Sequence, residues 1–260
     1  MGGKQLRCVA PFPLLISFVL VKSELTRTPP GVAGTDGSCL LNGAYNPTFP
    51  GSCPYVTSVG ATQLQSGINF TANLAKGEQV EEALNLITPF PGSGNSGGGF
   101  SNVFEMPAYQ AEAVHHYLAT AALPSGISQY FNSTGRARAF PDVSASGYNY
   151  PLVIQGGNFS ASGTASSVTT FGSLITQINA ERLAAGRRTV GFINPVLYAH
   201  PEVLRDVTIG GSMGCGTPPV CPFPEICVAQ AFPTAVGWDP VTGLGTPNYP
   251  KMLELFMRLP

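Results

Sequence analysis

With 260 residues, a net charge of −1 and only 10% charged residues, the chain offers no basic surface for nucleic acid or for an anionic membrane. Hydrophobic residues make up 43%, which excludes a disordered chain, and 31 glycines with 24 prolines point to a loop-rich secreted domain of α/β or β-rich type. The length suits one large domain or two small ones.

Lys4 and Arg7 precede an apolar run at 9–21, followed by Lys22 and Ser23. Two readings of this segment stand. One is a secretory leader cut after Ser23, with Pro11 and Pro13 awkward in its apolar core. The other is a stretch unrelated to the domain that follows. The run is too short for a membrane span.

Residues 55–64 read as a buried strand. The next candidate, 78–86, reads as a short amphipathic helix with Glu78 and Glu82 on one solvated face. Residues 92–99 form a Gly/Ser loop, and Gly97-Gly98-Gly99 lacks the following Lys-Ser/Thr of a phosphate cradle, so it reads as flexible. A helix is expected over 107–122, with Tyr109, Ala113 and Tyr117 on one side. Strands follow at 139–145 and 150–155. The longest helix, 166–185, ends at Gly186, and a closing helix spans 250–257. Strands alternating with helices argue for an α/β layered domain.

Six cysteines stand at 8, 39, 53, 215, 221 and 227 without a Cys-x-x-Cys pair, which disfavours zinc. Cys39 and Cys53 flank a short Pro/Gly loop, where a bridge fits an oxidising compartment. Cys215, Cys221 and Cys227 crowd one loop, so at most two of them pair with each other. Sequons at Asn69, Asn132 and Asn158 also favour the secretory route and a glycoprotein.

The segment Ser162-Gly163-Thr164-Ala165-Ser166-Ser167 carries the most chemical information. A small-residue turn runs into the long helix, whose Val168, Phe171, Leu174, Ile175 and Ile178 fall at helical spacing. A hydroxyl at such a helix start meets free N–H groups and the positive end of the dipole, which favours a developing oxyanion. The stretch resembles the SGTSAS signature of the sedolisins, the serine-carboxyl peptidases. Residues 31–34, 46–62, 96–104, 141–145, 191–198 and 237–247 continue the resemblance in the family's order, and the likeness is greatest to the fungal tripeptidyl-peptidase branch.

The resemblance implies a partial subtilisin-like α/β fold with a mostly parallel sheet flanked by helices. It implies that 31–260 is the C-terminal part of a sedolisin catalytic domain, with 218–230 inserted and 1–30 outside it. The implied activity is that of a hydrolase releasing tripeptides from protein N-termini at acidic pH outside the cell, on protein or peptide substrates.

Such an enzyme needs a serine nucleophile, a glutamate base, an aspartate that holds the base, and a second aspartate at the oxyanion hole. A serine hydroxyl is a weak nucleophile until a positioned base takes its proton, and a carboxylate does this best in acid. Aligned residue by residue, the nucleophile falls on Ala165, which has no hydroxyl. Ser166, one helical step of about 100° further on, is a poor substitute. The oxyanion aspartate falls on Pro29, which offers neither carboxyl group nor N–H. The family's Glu-x-x-x-Asp pair lies upstream of Gly31, where the chain does not match it. Glu202 and Asp206 have the same spacing but belong to another part of the pattern. The histidines 115, 116 and 200 read as solvated. The chain as written is therefore expected to be a fragment without peptidase activity; one alternative is an active peptidase, if the sequence is part of a longer gene product, and the other is a non-catalytic, calcium-stabilised secreted domain that binds peptides or a partner.

The resemblance also implies one structural calcium ion. Asp206 and Asp239 would supply carboxylates, and Val207, Ala235 and Gly237 would supply carbonyl oxygens, the hard donors calcium prefers.

Overall fold

Thr57 to Thr62 are uncharged and buried in succession, as in a strand covered on both faces. This strand is the centre of the fold. A computed structural model describes residues 20–22, 45, 47, 49–85, 95–213 and 230–260. In chain order its elements are β1 (Leu20–Lys22), β2 (Thr57–Leu64), α1 (Phe70–Ala75), β3 (Glu81–Ala83), β4 (Gly99–Glu105), α2 (Ala111–Thr120), β5 (Ala137–Phe140) and β6 (Val143–Ser146). There follow β7 (Tyr150–Ile154), β8 (Gly157–Ala161), α3 (Thr164–Ala184), α4 (Asn194–Ala199), β9 (Leu204–Arg205), β10 (Gly211–Met213), β11 (Gln230–Pro233), β12 (Thr246–Pro247) and α5 (Tyr249–Arg258).

Parallel pairing joins β1 and β6 to β2, with Leu20 opposite Thr57 and Val59 opposite Val143. Antiparallel β3 joins the same strand. The remaining ladders, β4–β5, β7–β8, β9–β12 and β10–β11, are antiparallel. The sheet is therefore mixed, with parallel pairing confined to β1, β2 and β6 among the described residues.

Helix α3 packs on this sheet. Its buried residues Thr164, Ser167, Phe171, Ile175, Ile178 and Arg182 recur every three or four positions, one stripe of a helix. Burial of each large apolar side chain contributes about 1.5–3 kcal/mol. The core continues into an aromatic cluster. Trp238 meets Phe100 at 6.0 Å and Tyr117 at 5.7 Å between ring centroids, and its Nε1 donates to the Pro141 carbonyl at 2.9 Å.

Three expectations change. The segment 78–86 is not a helix: Glu81–Ala83 pairs with β2, and Gln63 donates to Glu82 across the ladder at 2.7 Å. Cross-strand bonding and the burial of Ala83 and Leu84 override the helical pattern. Glu78 instead lies near Lys76, 3.9 Å away. The glycines 97–99 are buried, not a free loop. A Cβ on Gly98 would meet the carbonyl oxygens of Phe140 at 2.1 Å and Pro240 at 2.4 Å, so only glycine fits there. The strand expected at 139–145 is two strands, β5 and β6, separated by Pro141-Asp142.

Leu20–Lys22 forms β1 within the segment expected to be leader-like or unrelated. Cys53 is disulfide-bonded. Its expected partner Cys39, the other cysteines, Pro29, Gly31 to Gly34 and most of the expected insertion at 218–230 lie outside the described residues.

Candidate functional site

The parallel pairing of β2 and β6 ends with Thr62 opposite Ser146, the last residue of β6. The Gly147 N–H then donates to the Thr62 carbonyl at 2.8 Å, and the Gly163 N–H donates to the Gly147 carbonyl at 2.6 Å. This chain of bonds fixes the start of α3 beyond the carboxyl ends of the two strands. In open α/β sheets that is where ligands bind.

The turn into the helix is shaped by Gly163, whose φ of 130° only glycine adopts without strain. The Ser162 hydroxyl accepts from the Asn149 N–H at 2.9 Å and ties the turn to the start of the β7–β8 ribbon. Among the described residues no side chain caps the helix, so its first turn presents N–H groups to whatever lies in front of it. Ala165 is exposed, Ser166 is half-buried and Ser167 is fully buried. Of the three, Ala165, the residue expected at the nucleophile position, is thus the exposed one. Ser167 packs its hydroxyl inward, without a hydrogen-bond partner among the described residues.

The second cluster is built on the chain after β9. The Gly237 N–H donates to Asp206 Oδ2 at 2.7 Å, and the Ala235 N–H donates to Asp239 Oδ2 at 3.2 Å. Asp239 Oδ1 accepts from the N–H groups of Val241 at 2.9 Å and Thr242 at 2.8 Å. The Thr242 hydroxyl lies 3.2 Å from each Asp239 oxygen and 3.4 Å from the Val207 carbonyl oxygen. These bonds link Asp206 and Val207, after β9, with Ala235, Gly237 and Asp239, after β11. In this arrangement the segment after β11 turns N–H groups of Ala235 and Gly237, not carbonyls, to the carboxylates.

Asp239 is wholly buried and all its partners here are neutral. Burial pushes its carboxyl up to about 7, against the pull of the Thr242, Val241 and Ala235 donors. Asp206 is raised too, by partial burial, offset by the N–H groups of Gly237 and Val207. Two carboxylates are what these two segments offer. Among the described residues no group of three or more His, Cys, Asp and Glu side chains is placed to hold a metal.

Sequence reasoning missed a third cluster. Arg138 and Asp142, both fully buried, form a bidentate pair at 2.8 and 2.6 Å. Burial by itself lowers the Arg138 pKa, but Asp142 at hydrogen-bond distance reverses this and the net shift is upward. Gln110 and Tyr198 donate to Asp142 Oδ1, and the Ser58 N–H donates to Oδ2. The available signal was an Arg and an Asp bracketing Ala-Phe-Pro in a chain poor in charge.

The other candidates stay apart from both loops. His115 and His116 are exposed on α2, and His200 pairs with Glu202 at 3.0 Å. Glu202 lies in a 3-10 turn and shares no helix with Asp206. A cavity of about 220 Å³ lined by Arg182, Val190, Ile193 and Phe256 sits at the far end of α3. At 1.5 Å per residue it is roughly 25 Å from Ala165.

No family model matches the chain. It is 44% identical to Aorsin of Aspergillus oryzae over 242 residues, covering 89% of this chain and 34% of that protein. It is 42% identical to Tripeptidyl-peptidase sed1 of Aspergillus fumigatus over 248 residues, covering 90% and 33%. Against Tripeptidyl-peptidase 1 of Homo sapiens the identity is 40% over 217 residues, covering 82% and 34%. The chain thus spans about a third of the length of the curated relatives it matches. Among solved structures, a Pseudomonas sedolisin (serine-carboxyl proteinase), complexed with two molecules of pseudo-iodotyrostatin, shares the fold. Its TM-score is 0.55 at 20% identity, over 79% of this chain and 47% of that one. With this fold and with tripeptidyl-peptidases among its relatives, the chain belongs to the sedolisin family of serine-carboxyl peptidases.

Proposed function

We propose that residues 31–260 carry the C-terminal part of a sedolisin catalytic domain of the tripeptidyl-peptidase branch, and that this chain does not cut peptides by the family's mechanism. One observation carries the reading. The exposed residue at the uncapped start of α3, beyond the ends of β2 and β6, is Ala165. In the parent reaction a serine hydroxyl there adds to the substrate carbonyl and forms an acyl-enzyme, and the helix start favours the negative charge that develops. A methyl group cannot form that bond. What remains is a secreted domain able to hold a polypeptide segment in front of α3, with the Cys53 disulfide supporting an oxidising compartment.

Calcium belongs to the same proposal. Asp239, fully buried after β11, and Asp206, just after β9, are the donor types a calcium ion takes, with the Val207 carbonyl oxygen near Thr242 beside Asp239. A bound ion would neutralise both carboxylates and tie the loop around Gly237 to the end of β9. Among the described residues no helix is long and apolar enough to cross a membrane.

Trapping with an activated peptide ester tests the nucleophile directly. Intact-mass measurement of the acid-quenched protein is expected to show no acyl adduct. An adduct mapping to Ser166 or Ser162 would show that another hydroxyl had taken over and would overturn the reading.

A further inference from the structure

The ribbon of β7 and β8 pairs only with itself among the described ladders. Leu152, Val153, Ile154 and Phe159 on it are exposed. Strand alternation and the register divide its side chains. Tyr150, Leu152, Ile154 and Phe159 share one face, and Pro151, Val153, Asn158 and Ser160 share the other. The first face is anchored: the Tyr150 hydroxyl donates to the Ser146 carbonyl at 2.9 Å and lies 2.8 Å from Thr170 Oγ1 on α3. The second face has no such anchor among the described residues. Val153, three-quarters exposed, stands there directly opposite Asn158.

Asn158-Phe-Ser160 is a sequon, and no described residue hydrogen-bonds to the Asn158 side chain. The other two acceptors are engaged in the fold. Asn69 Oδ1 caps α1, and the Asn132 amide donates to the Ser101 carbonyl at 2.9 Å.

We propose that Asn158 carries an N-linked oligosaccharide, and that its first N-acetylglucosamine lies over Val153 and Pro151 on the same face of the ribbon. The proposal rests on the secretory reading above. Asn158 Nδ2 forms a bond to the anomeric carbon of an oligosaccharide carried on a polyprenyl diphosphate. The carbon–oxygen bond to the diphosphate breaks, the polyprenyl diphosphate leaves, and the amide gives up one proton. Four residues of strand separate Asn158 from Ser162, roughly 13 Å, so the sugar stands at the rim of the site in front of Ala165.

The full chain is expressed in yeast twice, once from its own N-terminus and once behind an appended secretory leader. Peptides are mapped after enzymatic deglycosylation, which converts a glycosylated asparagine to aspartate. Conversion at Asn158 is expected, and it disappears in both Asn158→Gln and Ser160→Ala. Cleavage within 150–161 by thermolysin should become several-fold faster in either variant and after deglycosylation of the parent. With the appended leader, a bare Asn158 beside an occupied Asn69 or Asn132 overturns the inference and leaves the secretory reading standing. From its own N-terminus, a chain kept in the cytosol and bare at all three asparagines overturns both. Ribbon cleavage unchanged by loss of the sugar rejects the covering role.

Discussion

Breaking the Arg138–Asp142 pair should cost more than any surface change in this molecule. The guanidinium donates to both Asp142 oxygens and to the carbonyls of Cys53 at 3.3 Å, Val56 at 3.5 Å and Ala139. Asp142 in turn holds Ser58 on β2, Gln110 before α2 and Tyr198 on α4, so the pair links four parts of the chain. Asp142→Asn leaves the Arg138 charge buried without its counter-charge, and Arg138→Met leaves the carboxylate so. Each should cost about 3–5 kcal/mol. At roughly 2–4 °C per kcal/mol for a domain of this size, Tm falls by about 6–20 °C. The double variant Arg138→Met/Asp142→Leu should lose clearly less than the sum of the single losses, because no lone charge remains. Urea unfolding of the four proteins measures this. A single variant within about 1 kcal/mol of the parent, or a double variant that is simply additive, would refute the argument.

Other outcomes follow from the same packing. Gly98→Ala should destabilise by about 3 kcal/mol, since its methyl group would overlap two backbone carbonyls that have no room to yield; urea unfolding with parent-like stability would contradict this. Calcium at a hundredfold excess over its dissociation constant should add about 2.7 kcal/mol. That raises Tm by roughly 5–10 °C, reversed by chelator and abolished in Asp239→Asn; a calorimetric Tm indifferent to calcium rejects the metal. Tyr150→Phe removes the ribbon's bonds to Ser146 and Thr170 at about 0.5–1.5 kcal/mol. Hydrogen exchange should quicken in 150–161 while the buried positions of α3 stay protected.

Much of the layout was legible because its signals are local. The apolar stripe of α3 and the glycine after it placed the long helix within two residues of its observed Thr164–Ala184 span, and α5 fell within one residue at each end. The Ser-Gly-Thr turn marked the helix start because that geometry is written in consecutive residues. The region 78–86 was misread because β3 is set by its partner β2, 17 or more residues earlier, and not by its own pattern. Gly97 to Gly99 read as a free loop because sequence cannot show two distant carbonyls closing on Gly98. The Arg138–Asp142 network was illegible for the same reason: five of its contacts come from residues 28 or more positions away from Arg138 or Asp142.

The most direct measurement is tripeptide release. The purified chain is incubated at acidic pH with a polypeptide bearing a free N-terminus, and the supernatant is read by mass spectrometry over time. With Ala165 in front of α3, no tripeptide is expected above the buffer control at any enzyme concentration. Tripeptide appearing in proportion to enzyme, from a preparation homogeneous by mass, would contradict the account and would mean that another group supplies the nucleophile.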